Sequence, residues 1–143
     1  MATQDHYPVN KQFTAMSHDI PPLPSGDKLI CDSRYRNIIN RLNAMIELIS
    51  TKPGTDLTVE ADQLLDAMTD HIDSENSVMA MVGYLNTVHH RMHHQFICHH
   101  TAELRHRFST CREVLPEELT YVRQLWLAHI QMYDRAFKEF LAC

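Results

Sequence analysis

Three pairs of side chains able to bind metal lie on apolar helical stripes of this chain: His71 with Glu75, His90 with His94, and His129 with Asp134. Residues four apart occupy neighbouring turns of one helix face, and the stripes around these pairs are otherwise made of aliphatic and aromatic residues. A chain so patterned has to bring several helices together with these polar groups inside. An ionised carboxylate in such a place is costly unless something cationic holds it. Upstream, Asp32-Ser33-Arg34-Tyr35 puts a tyrosine where the set calls for one more ligand.

The helices are legible from their period and their stops. From Asp27 to about Ser50 the apolar residues Tyr35, Ile39, Leu42, Ile46 and Ile49 recur helically, with Ile38 and Met45 beside them, until Lys52-Pro53-Gly54 ends the run. A second helix is expected over about Thr58 to Val82, with the stripe Leu64, Met68, His71, Glu75, Val78 and Val82, and a break at Gly83-Tyr84. Asn86 or Thr87 can cap a third helix running to about Glu113. Pro116 suits the first turn of a fourth, where Glu117 and Glu118 complement the helix dipole, and this helix should end near Leu141. Four long helices with short connections predict an all-α fold, an antiparallel up-down-up-down four-helix bundle over residues 27–143. Residues 1–26, polar and carrying Pro8, Pro21, Pro22 and Pro24, are expected to form an extended N-terminal arm.

The third helix offers two histidine pairs, and the faces distinguish them. The face through His89 and His93 continues into Phe96, His100, Glu103 and Arg107 and turns polar, whereas His90 and His94 continue into Ile97, Thr101, Leu104 and Phe108. The inward pair is therefore His90 and His94. On the fourth helix His129 shares its face with Val122, Trp126, Tyr133 and Phe137, and Asp134 lines up with Ile130, Phe137 and Leu141, which makes the buried side broad. Depth agrees with face. At a rise of about 1.5 Å per residue, Tyr35 lies roughly 12 Å into its helix and His94 about 12 Å into the third. His71 and Asp134 lie about 15 and 10 Å before the ends of theirs, so an antiparallel bundle brings all four helices' residues to one level. Imidazoles with carboxylates suit iron, manganese or zinc, and carboxylates able to bridge suit two ions. The rival reading is a buried polar network without metal.

Composition narrows the classes further. The 143 residues are enough for one hydrophobic core, and three glycines with 44% apolar residues favour helices over a turn-rich β fold. A net charge of -5 gives no reason to expect nucleic acid or an anionic membrane surface as a partner. No apolar run approaches the roughly 20 residues of a membrane helix, and no signal peptide is evident. Cys31, Cys98, Cys111 and Cys143 form no Cys-x-x-Cys pair, so reduced thiols in a cytoplasmic protein are expected.

With these residues in order, the chain resembles the hemerythrin family, and in particular its stand-alone bacterial members. The resemblance runs over about residues 22–141. It rests on Pro22-Leu23 with Gly26, Asp32-Ser33-Arg34-Tyr35, Ile39-Asn40, Leu42, His71 with Glu75, Tyr84, His90 with His94, Trp126, and His129-Ile130 with Asp134. It implies two iron ions joined by an oxo or hydroxo bridge, with Glu75 and Asp134 bridging them. It implies that His90, His94 and His129 hold one iron and His71 the other, the iron where dioxygen binds in the family. The family's first-helix histidine is replaced by Tyr35.

Tyr35 lies on an apolar stripe and is expected to point inward. It either fills space and hydrogen-bonds a carboxylate or water, or binds iron as a phenolate, its ordinary pKa near 10 falling beside a ferric ion. A phenolate favours ferric iron, which shifts the expected role from carriage of dioxygen toward sensing it or reacting with it. The alternative is a small di-iron enzyme acting on dioxygen, hydrogen peroxide or nitric oxide, with Tyr35 supplying a proton or an electron. A protein partner or reductase is left open. His89, His93, His99, His100 and His106 are expected to be surface residues without a role in the site.

Overall fold

The computed structural model describes residues 31–142, and the expected N-terminal arm lies outside them. Four helical runs follow one another: α1 (Cys31–Thr51), α2 (Thr58–Val82), α3 (Thr87–Ser109), and α4 (Pro116–His129), which continues through a π segment (Ile130–Asp134) into α5 (Arg135–Ala142). Among the described residues there is no strand. Each run packs on its sequence neighbours, and α1 packs on α4, which closes the ring. The directions follow from the cross-helix pairs. Arg34 reaches Ser74 while Arg41 reaches Gln63, so α1 and α2 are antiparallel. Arg105 meets Asp62 while His90 meets Glu75, and Arg107 meets Glu118 while His90 meets Asp134. The molecule is an up-down-up-down four-helix bundle. No helix among the described residues is long and apolar enough to cross a membrane.

The stops act as the sequence implies. Gly83 takes a left-handed conformation (φ 65°) and its N–H donates to the Met79 carbonyl, closing α2 as glycine does without steric penalty. The third helix ends four residues earlier than expected, at Ser109. There Cys111 adopts φ 58° and the Arg112 N–H returns to the Arg107 carbonyl at 2.8 Å, so the chain turns before Glu113. The Glu118 carboxylate accepts the Leu115 N–H at 3.0 Å and pairs with Arg107, fastening the end of α3 to the start of α4.

The buried line of α1 is Ile38, Ile39, Leu42, Met45 and Ile49, with Tyr35 and Ile46 partly buried against the same core. On α2 the line leaves the expected stripe near its end. Met79 is fully buried while Val82 is exposed, because a step of four from Glu75 keeps phase with the core and Val82 lies in the last turn, beyond it. All six residues expected on the inner face of α3 (His90, His94, Ile97, Thr101, Leu104 and Phe108) are buried. Leu141, expected on the inner face of the last helix, is 41% exposed, since α5 runs out at the bundle's end. Apolar residues fall into two clusters: a main core holding Ile38, Leu42, Met68, Ile97 and Trp126, and a smaller one of Met79, Tyr84 and Phe137. The polar pairs fall between the two along every helix that carries them.

Candidate metal centre

Each of α2, α3 and the fourth helical run delivers two polar side chains to the layer between the apolar clusters. His71, Glu75, His90, His94, His129 and Asp134 are all at least nine-tenths buried. Regular α-helix suffices for the pairs on α2 and α3, which are four apart. His129 and Asp134 are five apart, which in an α-helix sets them about 140° from each other around the axis. The π segment absorbs the extra residue. Its widened turn, closed by the Arg135 N–H on the Ile130 carbonyl, returns Asp134 to the face of His129. The buried side is broad, as expected, with Gln124 to His129 all buried, and the change of helix type adds the alignment of Asp134 with His129.

The side chains converge closely. One ligand atom from each of Glu75, His90, His94, His129 and Asp134 lies within 4.8 Å of all the others. His71 Nε2 stands 3.5 Å from Glu75 Oε1 and 3.4 Å from Asp134 Oδ2. His90 Nε2 is 3.1 Å from Glu75 Oε1, 3.0 Å from Asp134 Oδ1 and 3.1 Å from His129 Nε2. His94 Nε2 is 3.1 Å from Glu75 Oε1, and His129 Nε2 is 2.9 Å from Asp134 Oδ1. Asp134 thus turns one oxygen toward His71 and the other toward His90 and His129. Trp126 packs edge-on against His71 and His129 on one side of the layer, and Phe137 meets His90 on the other.

Hydrogen bonds do not account for this arrangement. An imidazole nitrogen has one hydrogen to give or one lone pair to offer, yet three neighbouring ligand atoms crowd His90 Nε2. His71 Nε2, fully buried, has no hydrogen-bond partner. Two carboxylates among four imidazoles call for positive charge at the centre, and protonation shows the same demand. Burial lowers the His71 pKa, but Asp134 and Glu75 outweigh it and push it up to about 9. His90 is raised to about 9 by the same two carboxylates against its own burial. Burial lowers His94 to about 4 despite Glu75. Burial also raises the two carboxyl groups, but the imidazoles overcome this and hold Glu75 and Asp134 well below the usual carboxylate range. A cation at the convergence of these atoms satisfies what protons satisfy only in part. The donor set, four Nε2 atoms and two carboxylates, fits iron, manganese or zinc.

Tyr35 is partly buried and packs against the main core. Its neighbour Arg34 donates to Ser74 Oγ at 2.7 Å and pairs with Asp70, which sets this turn of α1 beside the stretch of α2 that holds His71.

One expectation needs correction. His93 is not a bland surface residue: its Nδ1 lies 2.8 Å from His129 Nδ1, and its ring lies beside those of His129 and Tyr133. Burial, reinforced by the neighbouring imidazoles of His129, His94 and His90, lowers its pKa to about 4. The polar face through His93 pointed outward on its own helix, and only the approach of α4 covers it. His89, His99 and His106 are exposed and His100 is half-buried. Cys98 is half-buried, and burial pushes its thiol up, as a boundary residue rather than a reactive one.

The chain is 22% identical over 107 residues to a bacteriohemerythrin of Methylococcus capsulatus strain Bath, an alignment covering 74% of this chain and 82% of the relative. No protein-family model matches the chain, and no solved structure matches it significantly.

Proposed function

Taking the chain as hemerythrin-like, we propose that it holds two iron ions in the layer between its apolar clusters and binds or senses dioxygen there. The carrying observation is the buried convergence of three imidazoles and two carboxylates within 4.8 Å, with His71 Nε2 3.4–3.5 Å from both carboxylates and without a hydrogen-bond partner. Asp134 supports a pair of ions rather than one. Its Oδ2 faces His71 and its Oδ1 faces His90 and His129, the division a bridging carboxylate makes. Glu75 differs in that a single oxygen, Oε1, faces His71, His90 and His94, so one atom serves both sides. His90, His94 and His129 then hold one ion and His71 the other, with Tyr35 beside the ion that has fewer imidazoles. A pair of ferrous ions supplies the two electrons that binding or reducing dioxygen requires. The protein's part is to keep the layer dry, with Trp126 and Phe137 closing it, and to fix ligand orientation.

Tyr35 carries the second reading, a small enzyme that consumes dioxygen, peroxide or nitric oxide. A phenolate at the His71 ion stabilises the oxidised pair, and a neutral phenol there is a proton donor. Metal analysis of protein purified from its native host is expected to give two irons per chain; fewer than one iron, or zinc alone, sinks the proposal. Stopped-flow mixing of the diferrous protein with dioxygen separates the two readings. A stable adduct that releases dioxygen supports binding, and rapid irreversible oxidation supports the enzyme.

A further inference from the structure

We propose that His93 is a positioning residue for His129, fixing which nitrogen of that ring faces the metal pair. This inference rests on the dimetal reading above. The four inward imidazoles differ in what holds their outer nitrogens. Nδ1 of His71, His90 and His94 is buried without a hydrogen-bond partner, whereas Nδ1 of His129 meets Nδ1 of His93 at 2.8 Å. The two rings are inclined by only 10°, with centroids 5.0 Å apart. That separation is what two imidazoles joined edge to edge by such a bond have, so the N–H of one aims along the lone pair of the other. Tyr133 lies nearly parallel to both, 18° from His93 and 16° from His129, and limits rotation of the pair. The Phe96 ring lies 6.3 Å from that of His93, inclined by 20°.

The chemistry follows from counting hydrogens. A neutral imidazole carries one N–H. If Nε2 of His129 is to offer its lone pair to a metal, its hydrogen must sit on Nδ1. The Nδ1–H then donates to His93, whose own Nδ1 must be bare and whose hydrogen must sit on Nε2. In that arrangement His93 accepts the hydrogen that the metal-competent tautomer of His129 carries, and so stabilises that tautomer and holds its ring in plane. Partners of this kind typically account for a 10- to 100-fold effect on metal affinity. Neither the alternation of faces on α3 nor any local motif reveals this role, since the two residues lie 36 positions apart.

The full chain with Fe(II) alone, titrated in competition with a chelator, tests the assignment. His93→Phe keeps an aromatic ring and removes the acceptor. His93→Asn keeps an acceptor oxygen near the position of Nδ1. His93→Phe is expected to weaken binding at least tenfold, and His93→Asn to recover most of the loss, with the far-UV circular dichroism of all three metal-free proteins alike. A Phe variant within twofold of wild type, or Phe and Asn variants equally weakened, overturns the inference. Should the Phe variant fail to fold, an Asn variant weakened tenfold or more overturns it as well. Wild-type protein that takes up no Fe(II) defeats the dimetal reading itself, a result distinguishable from the others.

Discussion

Tyr35 continues the buried line of α1 in the steps of three and four that join it to Ile38, Leu42, Met45 and Ile49. It is in phase with the core, whatever its oxygen does. If the phenolate binds ferric iron, the oxidised protein has a visible charge-transfer band that Tyr35→Phe abolishes; an unchanged spectrum removes the phenolate. Glu75 and Asp134 differ from Tyr35 in that their burial is intelligible only with a cation nearby. Replacing Glu75 by Gln keeps its volume but takes a negative charge from the centre. The variant is expected to hold fewer than two metal ions per chain, measured by elemental analysis, and retention of two argues that Glu75 bridges nothing. The pairs on α2 and α3 could be read from sequence because a four-residue spacing and an apolar stripe determine both face and burial. The place of His93 could not, because its face is covered by a helix distant in sequence.

At the scale of elements, the π segment Ile130–Asp134 is the departure from regularity that the site depends on. Deleting Met132, which is 63% exposed, converts the five-residue spacing into four and lets a plain α-helix present both side chains on one face. The deletion variant is expected to keep its metal content with affinity changed by less than about tenfold; loss of metal would show that the wide turn shapes the site beyond restoring the face. At the other end, the Arg107–Glu118 pair joins α3 to α4. Arg107 holds the Glu118 carboxyl below its ordinary value of 4.5, against the opposing effect of burial and with help from the Leu115 N–H. Because the folded-state pKa is depressed, this stabilisation is present above the unfolded value and is lost as pH falls through the folded one. With Glu118 still partly solvent-exposed, Glu118→Gln is expected to cost about 0.5–1 kcal/mol at neutral pH. Denaturant melts of the two proteins should converge in strongly acidic solution, and an equal gap at both pH values would rule the ion pair out as its source.

For the whole molecule, the consequence of placing six polar groups between two apolar clusters is that metal binding and folding are coupled. A ligand present at a thousand times its dissociation constant stabilises the folded state by about 4 kcal/mol. Removing metal with a chelator should therefore lower the melting temperature by many degrees, while adding Fe(II) restores it in a concentration-dependent way. Equal melting of the two forms would mean that the buried charges are balanced without metal. The sequence by itself determined the four helices, their antiparallel order and six side chains of the buried layer. Each of these depends on local periodicity, on stop residues such as Gly83, and on the simple rise of a helix. Only the tertiary structure decided the π turn that brings Asp134 round and the partnership of His93 with His129. These depend on how one helix covers the face of another, and no single stripe records what will pack against it.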